Sequence, residues 1–159
     1  PAAQRGRQAA AGGGPAEAVR EPAVPRELVE RFGADPFGRL LGVRVEEVRP
    51  GYARVSLELR PDHRNFHGVV HGGLLFSLAD CAFAAASNSH NQRAVAISAT
   101  IHFLRAPAPG RLEAECVEEH RSRSLGSYRV GVRDGDGRLV ATMQALVHRG
   151  EEPVVATTP

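Results

Sequence analysis

Between residues 40 and 149 the apolar positions follow two different periods. Residues 40–48 alternate, with Val43, Val45 and Val48 set against Arg44, Glu46 and Glu47. After Pro50-Gly51 the alternation resumes over residues 52–59, and the pair predicts a β-hairpin. A polar loop spans residues 61–70. From Gly72 to about Ser89 the period of two gives way to a nearly unbroken apolar run carrying one carboxylate, Asp80, and its length predicts a helix. Four more strand patterns follow, at residues 94–104, 111–119, 124–133 and 139–148. The first of these puts Val95, Ile97, Ala99, Ile101 and Phe103 on one face, and Asp134-Gly135-Asp136-Gly137 marks the last hairpin turn. Ahead of everything, residues 25–32 predict a short helix stopped at Gly33. A helix that is apolar nearly all round has to be wrapped. The economical architecture is α+β: one curled antiparallel sheet of about five or six strands around one long central helix.

Composition narrows the class. The chain has 159 residues, 42% of them hydrophobic, and a formal charge of +2, which suits one domain. All 20 basic residues are Arg, and they are dispersed without a basic block, so nucleic acid is not an expected partner. Cys81 and Cys116 have neither metal-ligand spacing nor a disulfide framework, which points to a reducing, cytoplasmic setting. No apolar run reaches the ~20 residues that a membrane helix needs, and no charged-then-apolar leader pattern opens the sequence. Residues 1–25 and 151–159 are low in complexity and are expected to be flexible tails around a domain at residues 26–150.

The chemistry centres on the apolar run. Ser77, Asp80, Ala84 and Ser87 share one narrow helical stripe, its only polar line. A carboxylate there is either paired with an Arg or serves as a general base or nucleophile tuned by its surroundings. Gly72 and Gly73 open the helix and leave backbone N–H groups uncovered at the positive end of its dipole, suited to a developing oxyanion. Gly72 and Asp80 lie eight residues apart, about 12 Å of helix. Two groups acting on one carbonyl stand no more than about 7 Å apart. If both are catalytic, Asp80 must come from a second copy of the chain, in an isologous dimer with two sites. His63, His67 and His71 recur every four residues, but the residues between them do not predict a helix, so no metal site is expected.

The runs Asn65-Phe66-His67-Gly68-Val69-Val70-His71-Gly72-Gly73 and Phe76-Ser77-Leu78-Ala79-Asp80 resemble the PaaI-type thioesterases of phenylacetate catabolism, which have the hotdog fold. Ala82-Phe83-Ala84, Asn88-Ser89 and Ile101-His102-Phe103-Leu104-Arg105 extend the resemblance, which covers about residues 35–149. It implies hydrolysis of an acyl-CoA thioester, an active site at a dimer interface, and a dimer of dimers, hence a homotetramer. It implies that Asp80 is the catalytic carboxylate, that Gly72 supplies the oxyanion N–H, that Asn65 and His71 orient the region, and that Ser98 positions water. No cofactor is implied. His102 stands where some relatives carry an acid. Arg105, Arg121 and Arg123, at or near predicted strand ends, are candidates for the CoA phosphates.

The resulting expectation is a thioesterase acting on an aryl (phenylacetyl or hydroxyphenylacetyl) or medium-chain acyl-CoA, its pocket shaped by Phe66, Phe76, Phe83 or Leu75. A non-catalytic acyl-CoA-binding or sensing module is the alternative, and a hotdog enoyl-CoA hydratase ranks behind both.

Overall fold

The computed structural model describes residues 23–156. Most of the two segments expected to be tails, residues 1–22 and 157–159, lies outside the described residues. The elements run α1 (Arg26–Gly33), α2 (Pro36–Leu41), β1 (Arg44–Arg49), β2 (Tyr52–Glu58), a 3-10 turn (Pro61–His63), α3 (Gly72–Asn88), β3 (Ala94–Phe103), β4 (Arg111–Arg121), β5 (Leu125–Asp134) and β6 (Leu139–Arg149). The six strands form one antiparallel sheet in the order β1-β2-β4-β5-β6-β3.

Alternation builds the inner face of that sheet. Val55 and Leu57 from β2, Ala114 and Cys116 from β4, Val130 and Val132 from β5, and Met143 and Ala145 from β6 are almost fully buried. They close on Leu74, Leu78, Ala82, Phe83 and Ala86 of α3. Each large apolar side chain withdrawn from water contributes about 1.5–3 kcal/mol, which is why the greasiest segment of the chain becomes the axis of the fold. Phe83 meets Tyr128 edge-on at 5.5 Å between ring centroids. The Tyr128 hydroxyl donates to Glu118, which also holds His90 just past the end of α3.

Three features depart from the sequence pattern. First, residues 36–41 form a helical turn that takes up Leu40 and Leu41, which were expected to open the first strand. Asp35 caps it by accepting from the Gly38 N–H at 2.6 Å, Pro36 opens it, and Gly42 ends it at φ 82°, a left-handed value that suits glycine. Second, β3 carries a bulge between Ala96 and Ser98. One extra residue reverses the alternation. Ala99, Ile101 and Phe103 pair with Ala145, Met143 and Ala141, which are buried under α3, whereas Val95 pairs with the exposed His148 and Ser98 with the exposed Leu146. The expected single apolar face is therefore split between the two sides of the sheet. Third, residues 151–156 are tied down and do not begin a tail. Val155 is buried, its N–H and C=O exchange hydrogen bonds with the Asn91 side chain, and Arg31 donates to the Val154 carbonyl.

Candidate active site

α3 begins at a closed loop. The Asn65 Oδ1 accepts from the N–H groups of His67 and Val69, the Asn65 N–H donates to the Val69 carbonyl, and Gly68 turns the chain at φ 77°. The loop returns to its base where the His71 N–H donates to the His63 carbonyl at 2.9 Å. His71 is the N-cap of α3, and its Nδ1 accepts from the Gly73 N–H at 2.8 Å. The expectation of two uncovered N–H groups is thus reduced to one. Gly73 is occupied, and the Gly72 N–H is left without an acceptor among the described residues. Neutral His71 accepts through Nδ1 and so carries its proton on Nε2.

Asp80 lies two turns further along, on an exposed line with Gly73 and Ala84. Ser87, expected on that line, is buried and donates to the Ala84 carbonyl. No Arg pairs with Asp80, and its carboxylate makes no hydrogen bond among the described residues. Partial burial, and then the negative charge of Asp35, hold its carboxyl above the usual carboxylate range. It lines a cavity of about 560 Å³ between the α1–α2 elbow and α3.

The walls of that cavity differ from those expected. Phe32, Val43, Val45, Val55 and Ala85 line it. Phe83 and Leu75 are in the core, Phe66 is 92% exposed, and Phe76 packs at the core's edge. Asp35, which was not among the expected site residues, faces the same cavity. The N-cap signature Asp-Pro followed by a glycine seven positions after the Asp was its available signal.

The remaining candidates divide. Asn65, His71 and Gly72 are brought together. Ser98 is not: its pairing with Leu146 puts it on the outer face of the sheet, away from α3, because it alternates with the inward-facing Ala99, Ile101 and Phe103. Arg105 follows Phe103, whose ring covers Gly72, and so lies at the opening end of α3. Arg121 and Arg123 lie at the other end of the sheet, about 24 Å along α3, where they pair with Glu118 and Glu151. Among the described residues no cluster of three or more His, Cys, Asp or Glu could hold a metal ion, and no helix is long and apolar enough to cross a membrane.

A six-stranded sheet curled around one helix, with a free N–H at the helix start and one unpaired acid two turns on, defines a hotdog-fold thioester hydrolase. The thioesterase superfamily model matches residues 67–141. The chain is 35% identical over 116 residues to the acyl-coenzyme A thioesterase PaaI of Escherichia coli, across 72% of this chain and 83% of that protein. The solved structure of E. coli PaaI, from the phenylacetic acid degradation operon, superposes with a TM-score of 0.76 at 32% identity, over 79% of this chain and 92% of that one. The TT0310 protein of Thermus thermophilus superposes with a TM-score of 0.70 at 45% identity, over 73% and 98%. The chain belongs to the thioesterase superfamily and, within it, to the PaaI-type acyl-CoA thioesterases.

Proposed function

We propose that the protein hydrolyses an aryl or medium-chain acyl-CoA in the cytoplasm, with Asp80 as general base or nucleophile and the Gly72 N–H as oxyanion donor. The observation that carries this reading is the isolation of Asp80. A carboxylate held in a partly apolar cavity, with no ion pair and beside a second acid, costs folding free energy and has no structural partner. As base, Asp80 takes a proton from water while the water oxygen attacks the thioester carbonyl. The tetrahedral oxyanion accepts from Gly72, and the C–S bond then breaks to release CoA thiolate. As nucleophile, the Asp80 carboxylate attacks the carbonyl, the C–S bond breaks to release CoA thiolate, and water opens the resulting mixed anhydride to the free acid and the regenerated carboxylate. Entry of ¹⁸O from labelled water into the enzyme carboxylate in a single turnover separates the two routes. Asn65 and His71 act as positioning residues that hold the loop so that Gly72 alone is free. Phenylacetyl and hydroxyphenylacetyl esters are proposed among the aryl substrates because the E. coli relative comes from a phenylacetic acid degradation operon.

The site is proposed to form between two copies, which pair again as a dimer of dimers. β3 supports this reading: it is an edge strand, uncharged from Ala94 to Ile101, with Val95 and Ile97 more than half exposed. The opposite edge, β1, is guarded by Arg44, Glu46, Glu47 and Arg49. Helix and strand run antiparallel. The Asn88 side chain brackets Ala94 through two hydrogen bonds, while Phe103 lies over Gly72. Phe76, midway between Gly72 and Asp80, stands about 18 Å from Asn88, and β3 covers that height in five to six residues, at Ala99–Thr100. A two-fold axis there sets Gly72 of one copy level with Asp80 of the other. Arg105, at the Gly72 end, is the proposed contact for the CoA phosphates.

The test mixes inactive Asp80→Ala chains with inactive Gly72→Val chains under conditions of proven subunit exchange. Thiol release should recover, because half of the sites in mixed dimers are intact. Exchange without recovery overturns the shared site. Near-normal turnover by Asp80→Asn and Asp80→Ala alone overturns the role of Asp80.

A further inference from the structure

The cavity beside Asp80 has a direction. Its α3 wall begins at Asp80 and Cys81, continues through Ala84 and Ala85, and ends at Asn88; Val154 also lines it, next to Val155, which Asn91 holds just past the end of α3. That span is eight residues of helix, about 12 Å. Phe32, Val43, Val45 and Val55 give the facing wall its apolar part, and Arg31, Asp35 and Arg39 line the cavity beside them. The polar groups at the far end have partners within the chain. The Asn88 amide donates to the Ala84 and Ala94 carbonyls and accepts from the Ala94 N–H, and Arg31 donates to the Val154 carbonyl. A volume of about 560 Å³ falls within the range of small-ligand sites.

We infer that this groove is a ruler for the acyl group, holding a straight chain of about eight to ten carbons along α3 from Asp80 to an end wall at Val154. The estimate takes about 1.3 Å of length per carbon in an extended chain with C–C bonds near 1.5 Å. The inference rests on the reading of Asp80 as the group that meets the thioester. The occupant follows from the chemistry of the walls. One end meets the reacting carbonyl, and Phe32, Val43, Val45, Val55, Ala84 and Ala85 offer apolar surface beyond it, so a hydrocarbon chain is the occupant these walls favour. Val154 can serve as a stop only because residues 151–156 are docked by Asn91 and Arg31.

Ala84 is the decisive position, because it is exposed on α3 one turn beyond Asp80 and belongs to no part of the buried core. A ring there blocks the groove about 6 Å from the carboxylate. The experiment measures kcat/KM by thiol release on straight-chain acyl-CoA esters from C2 to C14, with the full chain. The wild type should rise to C8–C10 and fall at least tenfold by C14. Ala84→Phe should raise the ratio of butyryl to octanoyl turnover at least tenfold, Ala84→Leu by less, and Val154→Phe should shorten the cut-off by two or three carbons from the other end. Activity that is flat to C14, confined to aryl esters, or scaled equally at every length by Ala84→Phe, Ala84→Leu and Val154→Phe overturns the ruler. Asp80→Asn is run beside them. Its inactivity at all lengths leaves the catalytic reading standing even if the ruler falls, and its activity removes the catalytic reading whatever the length profile.

Discussion

The ring of Phe103 stands 3.3 Å from the point that a β-carbon on Gly72 would occupy. The last residue of β3 thus presses on the first residue of α3, and the free N–H of Gly72 is held by a side chain delivered from the sheet edge. Gly72→Ala should push ring and helix start apart and lower kcat about tenfold to a hundredfold, short of the 10²–10³ that removal of an oxyanion donor costs. Phe103→Leu in the same chain should restore part of that loss. Steady-state kinetics on the two single variants and the double variant read the coupling.

Asp80→Asn should lower kcat by about 10²–10⁴ while raising Tm at neutral pH. The sign follows from burial and Asp35, which raise the folded-state carboxyl above its unfolded value. As pH climbs through that raised value the native state carries a disfavoured charge and loses stability relative to the variant. Below the ordinary carboxylate range both chains are neutral at this position and their Tm values should converge. Calorimetry extended from neutral pH down to below the ordinary carboxylate range checks it.

Asp35→Asn keeps an N-cap for α2, since Asn caps as well as Asp. It removes the one negative charge that faces Asp80 across the cavity, which Arg31 and Arg39 also line. The acid limb of kcat/KM should therefore move to lower pH, with the plateau altered less. An unmoved limb means that Asp35 acts on Asp80 through position alone.

The proposed two-fold at Ala99–Thr100 calls for a cross-link. In a Cys81→Ser background, Ala99→Cys or Thr100→Cys should form an intermolecular disulfide under mild oxidation. Val95→Cys, four to five residues from the axis, should not. Non-reducing electrophoresis separates the cases.

Asp134 staples the far hairpin. It accepts from Arg138 and from the N–H of Ala108, and these donors, Arg138 first, hold its carboxyl down to about 2. Its contribution to stability is complete above the ordinary carboxylate range and is lost as pH falls towards 2. Asp134→Asn should lower Tm at pH 7 and flatten the acid side of the stability profile between pH 4 and 2.

The elements that were legible in the sequence are those set by a repeating period. The central helix and the hairpin strands follow from side chains that alternate or cluster over many residues, and the Gly72–Asp80 spacing is a length that helix geometry converts directly. The bulge at Ile97 was not legible. One inserted residue leaves the composition of β3 unchanged, yet it decides that Val95 faces the outer side of the sheet while Ala99, Ile101 and Phe103 face α3. α2 was hidden because Leu41 shares the period of two set by Val43 and Val45. The docking of Val155 depends on Asn91, which is distant in sequence and has a left-handed backbone at φ 52°, and no local pattern announces such a pairing.

The cavity wall formed by residues 31–39 precedes the first strand and contributes no strand to the sheet. α3 and the six strands, with Gly72 and Asp80 among them, lie downstream of it. This elbow can therefore be exchanged, like a die in a press, leaving the machine that closes on it unchanged. A graft of the corresponding segment from a relative carries one substrate choice onto another body, and diversification of this kind of enzyme has a ready place to occur.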